Sequence, residues 1–248
     1  MRIRSTAQQA SPDPETGSAP HIVAIEGGTR AEVLLAPGDP RVHDLARAAF
    51  DPEDPLSRMA RSLRGSIVAS VAQSGAGPIR SVAVMGLHAA AEASILAANL
   101  AISYAQLGTQ TVLVEANPGE TRQRSLLHAR HEIGLLDILD GDVDVRSIVE
   151  PSAVRGLSIV TTGAVRDGAM VLLDGERFHR RAMPLLDVFG MMVVDVGLAF
   201  NEPPTLCEAL DAAIVVVRRD VTSIDDMRRL LGRLEEMNVR IVGSIIAT

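Results

Sequence analysis

The stretch from Val82 to Ala101 contains the first residues whose order predicts a binding function. It begins with a short apolar run typical of a buried strand and ends in helical spacing from Ser94 to Gln106. Between a strand and a helix, backbone N–H groups can hold a phosphate, given glycines for tight turns and a lysine for the outer phosphates. Gly86 is the only glycine between the start of this strand and Gly108, and the 24 residues counted as Lys plus Arg are all arginines. The strand and the helix that flank a phosphate-binding loop are therefore predicted here, but the glycines and the lysine that would bind phosphate are missing.

The residues that join this strand to this helix favour helix over loop. From His88 to Ala93, four of the six residues are alanine, the strongest helix former, and none is glycine. We therefore predict that the helix begins several residues early, near His88 to Ala91. Its first turn would then take up part of the space in which phosphates would lie.

Strand-like and helix-like segments alternate along the rest of the chain, which predicts a parallel sheet covered by helices on both faces. Most of the apolar runs are nearly unbroken, as expected of strands buried on both sides. The predicted strands are Val82 to Met85, Thr111 to Glu115, Leu157 to Thr162, Met191 to Asp195, Ala213 to Val217 and Arg240 to Ile246. The predicted helices are Ser94 to Gln106, Leu135 to Leu139, Val143 to Ile148, Glu176 to Leu186, Pro204 to Ala209 and Ser223 to Glu236.

The N-terminal part of the chain differs in composition from the rest. Residues 1 to about 20 are rich in Ser, Pro, Gln and Gly, which predicts disorder. A weak hairpin or a docking segment is predicted from His21 to Ile25 and Ala31 to Leu35. The stretch from Pro37 to Pro55 is predicted to be mostly linker, although Val42 to Phe50 have helical spacing. A helix is predicted from Leu56 to Ala72. We therefore divide the chain into a largely disordered tail and linker, residues 1–55, and one α/β domain, residues 56–248.

Composition argues against several functional classes. The net charge of −7 at pH 7 argues against nucleic acid as a main partner. The single cysteine, Cys207, excludes an intramolecular disulfide and fits a reducing compartment. It is more typical of a small buried hydrophobic residue than of a nucleophile. No signal-peptide pattern is visible, and no uninterrupted apolar run approaches the roughly 20 residues of a membrane span. We expect a cytoplasmic protein.

Six short motifs follow one another in a specific order and spacing. They are Leu63-Arg64, Ala97 to Ala101, Gly134 to Leu139, Gly156 to Gly163, Val193 to Asp195 and Leu210 to Arg218. Together they resemble the bacterial tyrosine kinase (BY-kinase) domains, the cytoplasmic parts of polysaccharide co-polymerases, within the MinD/ParA-like group of P-loop proteins. The resemblance covers about residues 56–248 and implies a P-loop NTPase fold with a degenerate phosphate loop.

The resemblance also shows which parts of the phosphate loop are lost. Ala93 stands where the family has its lysine, and Ala90 and Glu92 stand where it usually has glycines. Glu92 places a negative charge beside the expected triphosphate. Two like charges about 4 Å apart near a protein surface repel by roughly 4 kcal/mol, which alone is nearly three decades of affinity.

Four other residues are implied to be remnants of the nucleotide and metal site. Ser94 retains the hydroxyl that would ligate Mg²⁺, and Asp195 matches the Walker B aspartate. Glu115 and Asn117 stand where the family has an Asp-x-Asp pair. Ser94, Glu115 and Asp195 would supply the oxygen ligands that Mg²⁺ prefers. The alternative, favoured by the loss of the phosphate loop, is that Asp195 only hydrogen-bonds the neighbouring loop. We expect no bound cofactor, with ATP and Mg²⁺ as the ligands if the site is residual.

Arg58, Arg61 and Arg64 share one face of the predicted N-terminal helix. The family has Glu-x-x-Arg-x-x-Arg there and uses it to contact a neighbouring subunit, so the resemblance implies an interaction face in which Arg58 reverses the glutamate's charge. The alternative is a solvated basic face. Arg218 is predicted to be a surface charge. The only tyrosine, Tyr104, lies inside a helix, and the tyrosine-rich tail that the family phosphorylates is absent. His128 and His131 lack a third nearby ligand, so we predict no metal site there.

These residues favour a pseudokinase over an enzyme. The resemblance implies that it regulates the biosynthesis and export of an extracellular polysaccharide, whether capsule, exopolysaccharide or adhesive holdfast. It would act through a membrane co-polymerase of the Wzz type that recruits it to the inner membrane. Self-association into a homo-oligomer is an open alternative. Two alternatives remain: an active but atypical ATPase or protein-tyrosine kinase, and a MinD/ParA-like spatial organiser.

Overall fold

Seven strands form one sheet in which every neighbouring pair is parallel except the first. The strands are β1 Ser81–Leu87, β2 Thr111–Glu115, β3 Glu150–Pro151, β4 Leu157–Val160, β5 Met191–Leu198, β6 Ala212–Arg218 and β7 Arg240–Ala247. Their order across the sheet is β3-β4-β2-β5-β1-β6-β7. The computed structural model describes residues 34–74, 77–141, 143–199 and 203–247. The predicted parallel α/β fold is confirmed, and all six predicted strands are present.

Helices cover both faces of the sheet. They are α1 Pro55–Ser74, α2 Ala90–Gln106, α3 Gln123–Leu126, α4 Leu135–Asp140, α5 Ala169–Leu172, α6 Gly175–Arg181 and α7 Ile224–Glu236. The described part of the chain also contains four 3₁₀ segments: Arg47–Ala49, Val145–Ile148, Met183–Asp187 and Thr205–Ala209. The core has two parts, because α1 and α2 pack on one face and α4, α6 and α7 pack on the other.

Three predicted helices take a different form. The segments predicted from Val143 to Ile148 and from Pro204 to Ala209 are the 3₁₀ segments Val145–Ile148 and Thr205–Ala209. The helix predicted from Glu176 to Leu186 ends at Arg181, and a 3₁₀ segment with a proline in its first turn, Pro184, follows. Proline lacks the N–H that a continuous α-helix needs inside its run, so the two segments separate. The short β3, with its antiparallel pairing to β4, was not predicted, since two residues carry no periodicity.

Residues 34–54, which we call the strap, pack onto α2. Asn99 of α2 is fully buried, its Oδ1 accepts the Ala48 N–H at 2.8 Å, and its Nδ2 donates to the Leu45 carbonyl at 2.9 Å. Residues 31–248 form one compact unit. The sequence indicated a linker up to residue 55. A segment with few apolar residues between prolines resembles a linker, and its packing becomes visible only together with the helix that it contacts. The predicted disordered tail and the predicted hairpin, apart from Leu34 and Leu35, lie outside the described residues.

Among the described residues, no helix combines the length and apolar character needed to cross a bilayer.

Candidate functional site

The turn between β1 and α2 consists of two residues, His88 and Ala89, and α2 begins at Ala90. This start lies within the predicted range. His88 has a left-handed backbone with φ of 61°. A Cβ on Gly86 would lie 2.3 Å from the Ala89 carbonyl oxygen and 2.7 Å from the Ala90 nitrogen. Glycine is therefore required at position 86, because the turn folds directly over the strand.

Glu92 in the first turn of α2 has a cationic partner. Its Oε1 forms an ion pair with Nη2 of Arg218, the last residue of β6. Arg218 was predicted to be a surface charge, and it is half-exposed, but it is paired with the first turn of α2. The ion pair offsets the negative charge of Glu92, so repulsion is a weaker barrier to phosphate than the sequence indicated.

Two carboxylates are buried side by side at the carboxyl ends of neighbouring strands. Glu115 of β2 and Asp195 of β5 are partners in the parallel register. A register irregularity follows, because Asp195 aligns with Val84 of β1 while Gly197 aligns with Met85. The resulting bulge lets the Gly197 N–H donate to Asp195 Oδ1 at 3.0 Å.

Gln123 connects these carboxylates to α2. Its backbone N–H donates to Glu115 Oε1 at 2.6 Å, and its side-chain Nε2 donates to Asp195 Oδ2 at 2.7 Å and to the Ser94 carbonyl at 2.8 Å. The other oxygen of Glu115, Oε2, accepts the Thr162 N–H and hydroxyl, each at 3.1 Å. Ser94, Glu115, Gln123, Thr162 and Asp195 are all buried, and the structure brings them into one network.

Burial controls the acidity of both carboxyls. Desolvation raises the pKa of Asp195 to about 7, opposed by the hydrogen bond from Gln123 and by the nearby Ser94 hydroxyl; the charge of Glu115 raises it further. Desolvation also raises the pKa of Glu115, while the hydrogen bonds from Gln123, Thr162 and Arg122 lower it. Carboxyl groups with pKa values raised in this way are common at functional sites.

Asn117, the fourth predicted remnant, is buried but serves its own loop. Its Nδ2 donates to the Glu120 carbonyl at 2.8 Å, and its Oδ1 accepts the Glu120 N–H at 3.2 Å. Its side chain lies against Gly197, which has φ of 69° and on which a Cβ would meet Asn117 Cγ at 2.1 Å. Asn117 therefore packs next to the bulge that carries Asp195.

A magnesium ion does not fit the network as it stands. Both oxygens of Asp195 and both of Glu115 already accept hydrogen bonds from N–H or hydroxyl donors. The Ser94 hydroxyl is fully buried and has no hydrogen-bond partner among the described residues. In the same part of the chain, no three His, Cys, Asp or Glu side chains are grouped to hold a metal ion.

Sequence reasoning missed Gln123 and Thr162. Thr162 lies two residues after β4 and ends the strand that the sequence predicted, so its place at the carboxyl edge of the sheet offered a signal. Gln123 offered none, because a single glutamine in a helix of four residues has no period and no motif.

The three arginines of α1 differ in their surroundings. Arg58 is exposed and lies 3.7 Å from Glu53, whereas Arg61 donates to the Pro52 carbonyl. Arg64 donates through Nη1 to the Ser103 carbonyl of α2. The predicted interaction face stays a prediction, and Arg58 is its most accessible member.

Tyr104 and Cys207 are buried reactive side chains. Burial raises the pKa of the Tyr104 phenol to about 12, with the charge of Arg64 opposing the shift. Burial also raises the pKa of the Cys207 thiol to about 12, with Glu208 adding to the shift. A thiol in this state is not a nucleophile at neutral pH.

No protein-family model matches the chain. Curated proteins that are similar to it include the putative tyrosine-protein kinase CapB of Staphylococcus aureus, 19% identical over 79% of this chain and 85% of CapB. The putative tyrosine-protein kinase EpsB of Ralstonia nicotianae is 26% identical over 78% of this chain and 26% of EpsB. The tyrosine-protein kinase wzc of Salmonella typhi is 22% identical over 80% of this chain and 28% of wzc. The chain thus spans most of CapB but only about a quarter of EpsB and wzc.

Solved structures with the same fold include the chimerical protein CapA2B2, with a TM-score of 0.72 and 18% identity over 82% of this chain and 89% of that one. The kinase domain of Escherichia coli tyrosine kinase ETK has a TM-score of 0.71 and 18% identity over 88% of this chain and 83% of that one. The cell division ATPase MinD of Pyrococcus furiosus has a TM-score of 0.59 and 15% identity over 67% of this chain and 71% of that one. The homologues of this chain are thus bacterial tyrosine kinases, and its fold is the one shared by BY-kinase domains and MinD.

Proposed function

We propose that this chain is a non-catalytic relative of the BY-kinases that regulates the biosynthesis and export of an extracellular polysaccharide. It would act through a membrane co-polymerase of the Wzz type, which would recruit it to the inner membrane. The observation that carries the proposal is the two-residue turn between β1 and α2, in the place where phosphates would bind.

The turn supports a loss of nucleotide binding in two ways. A phosphate loop presents successive backbone N–H groups to the anion. Here the Ala93 N–H donates within the helix to the Ala89 carbonyl at 2.9 Å, and the backbone of Ala89 and Ala90 lies against Gly86. The chain contains no lysine, so no rearrangement of the turn restores that contact.

The acceptor side of the kinase reaction is also missing. Tyr104 is the only tyrosine of the chain, and it is buried between helices with 8% of its surface exposed. An enzyme that retained residual transfer activity would therefore find no accessible tyrosine in its own chain.

Two lines of support favour polysaccharide assembly as the process. The homologues are BY-kinases, and the resemblance to that family implies a role in capsule or exopolysaccharide synthesis. Arg58 on α1 is exposed and stands where the resemblance implies that the family contacts a neighbouring subunit, with the charge of the family's glutamate reversed; it supports a partner contact on this helix.

Calorimetric titration of the full chain with ATP and Mg²⁺, at high protein concentration, tests the proposal. We expect no heat of binding from the native chain or from Asp195→Ala. Binding tighter than about 10 μM, near −7 kcal/mol, that disappears in Asp195→Ala would instead establish the atypical ATPase or kinase. Phosphate transfer to a tyrosine peptide, measured in parallel, would then separate those two activities.

A further inference from the structure

We infer that Gln123 is a positioning residue that stands in for a cation against Asp195, so that the domain holds a single conformation without nucleotide. The inference rests on the proposed function and adds to it the means by which the former site is kept closed. It concerns a residue outside the six motifs by which the chain resembles its relatives.

The contacts of Gln123 require a donor at this position. Both atoms that its Nε2 meets, Asp195 Oδ2 and the Ser94 carbonyl oxygen, are acceptors. A buried carboxylate without a donor or cation is strongly destabilising. The two N–H bonds of the amide serve these two acceptors, which fixes the orientation of the amide. The neutral amide of Gln123 thus places its partly positive N–H groups against Asp195, where a metal ion would otherwise provide the positive charge.

The same residue also satisfies the second carboxylate. The Gln123 backbone N–H donates to Glu115 Oε1 at 2.6 Å, so one residue bonds to both buried acids. It links β2, β5 and the first turns of α2. Because these elements carry the ends of the former nucleotide site, the network fixes their relative positions.

The strap holds Gln123 in place. Helix α3 is a single turn, which is too short to be stable alone. The His43 N–H of the strap donates to the Leu126 carbonyl of α3 at 2.9 Å. Val42 and Ala46 are buried in the same core cluster as Leu126. The strap is anchored in turn by Asn99, so a continuous series of contacts runs from α2 through the strap to Gln123.

The substitution Gln123→Glu tests the inference with almost no change in shape. A third carboxylate would then face Asp195 and the Ser94 carbonyl, and it requires a proton or a divalent cation to stay buried. We expect the melting temperature of Gln123→Glu at pH 8 to fall below that of the native chain and to rise with added Mn²⁺. At a free Mn²⁺ concentration about 100 times the Kd, the rise should be roughly 5–10 °C. The native chain should show no such rise.

Gln106→Glu is the matched control, since Gln106 also donates from Nε2 to a backbone carbonyl, that of Ala48, but lies away from both acids. Its melting temperature should not depend on Mn²⁺. An equal stability of Gln123→Glu with and without Mn²⁺, at the level of the native chain, would overturn the inference.

Gln123→Leu covers the case in which the glutamate variant does not fold. Removing the donor should raise the pKa of Asp195 above its native value, measured by ¹³C NMR of the carboxyl group, whereas Gln106→Leu should leave that pKa unchanged. An unchanged Asp195 pKa in folded Gln123→Leu would also overturn the inference. The proposed function fails by a different result, namely ATP binding by the native chain.

Discussion

Arg218, the last residue of β6, forms an ion pair with Glu92 in the first turn of α2. The pair spans the short turn that joins β1 to α2, so it holds the end of the sheet against the start of the helix. The Arg218 guanidinium is therefore engaged by a carboxylate of the same chain.

Glu92→Gln releases Arg218 without a large loss of stability. The two side chains are 31% and 42% exposed, and ion pairs that face solvent to this extent contribute about 0–1 kcal/mol. We expect the melting temperature to change little and ATP binding to stay undetectable by calorimetry, because no loop of N–H groups surrounds the freed arginine. Micromolar ATP binding by Glu92→Gln would show instead that the ion pair is what blocks the nucleotide.

Gly86→Ala tests the close approach of the turn to the strand. The new Cβ would lie 2.3 Å from the Ala89 carbonyl oxygen, and backbone atoms on both sides cannot move away without unwinding the start of α2. We expect a loss of more than about 2 kcal/mol in the free energy of unfolding, measured by urea denaturation. Gly65→Ala is the control: it lies within α1, where a Cβ meets nothing within 4 Å, and it should stabilise by up to about 1 kcal/mol. Equal effects of the two substitutions would contradict the packed turn.

The strands and the early start of α2 were predictable because each has a local cause. Apolar runs mark β1, β2, β5 and β6 directly, and the alanines from His88 to Ala93 favour a helix whatever surrounds them. The strap was not predictable in the same way. Its backbone groups bond to the side chain of Asn99, more than 50 residues away from Ala48, and no local pattern reports such a contact.

The candidate site was predictable only in part for a similar reason. Glu115 and Asp195 end buried strands, so their meeting at one edge of a parallel sheet follows from topology. Their partner does not, because Gln123 reaches Asp195 across 72 residues and from a helix too short to predict. The charge on Glu92 was correctly identified, but its pairing with Arg218 depends on which strand lies beside β1.

Asp195→Asn should remove a pH dependence of stability. The folded pKa of about 7 lies above the ordinary value of 3.8, so between these values the folded state binds more protons than the unfolded state. The free energy of unfolding of the native chain should therefore fall as the pH rises from about 4 to about 7, by roughly 4 kcal/mol if Asp195 acts alone. Asp195→Asn should be flat over this range, as measured by urea denaturation at each pH, because it removes the titrating carboxyl.

Asp39→Asn provides a control of opposite sign. Hydrogen bonds from Arg41 lower the pKa of Asp39 to about 2, so any stability it contributes is lost only as the pH falls below about 4. Its replacement should leave the slope between pH 4 and pH 7 unchanged. A native chain without that slope would mean that Asp195 keeps its charge in the folded state.

Tyr104 should titrate late and resist phosphorylation. Burial raises the pKa of its phenol to about 12, while the unfolded chain should titrate near pH 10. Since Tyr104 is the only tyrosine, the absorbance of tyrosinate at alkaline pH reports this one side chain, with a urea-unfolded sample as the reference. Incubation of the folded chain with an active tyrosine kinase should leave it unmodified. Titration near pH 10 in the folded state, or rapid labelling, would show that the core around Tyr104 opens readily.

Arg58→Ala should weaken the proposed partner contact without affecting the fold. Arg58 is 57% exposed, and its ion pair with Glu53 at 3.7 Å is worth little in solvent. Alanine is used because the resemblance implies glutamate at this position in the family. Arg64→Glu is a poor test, because Arg64 donates to the Ser103 carbonyl and its reversal would place a carboxylate against an acceptor. The control is Arg228→Ala on α7, whose arginine is 75% exposed and is also paired with an acid, Asp225. We expect Arg58→Ala to keep the native melting temperature. It should reduce co-purification with the membrane co-polymerase, or self-association measured by light scattering, by at least about tenfold, whereas Arg228→Ala should reduce neither. Equal binding by both variants would place the partner contact elsewhere than on α1.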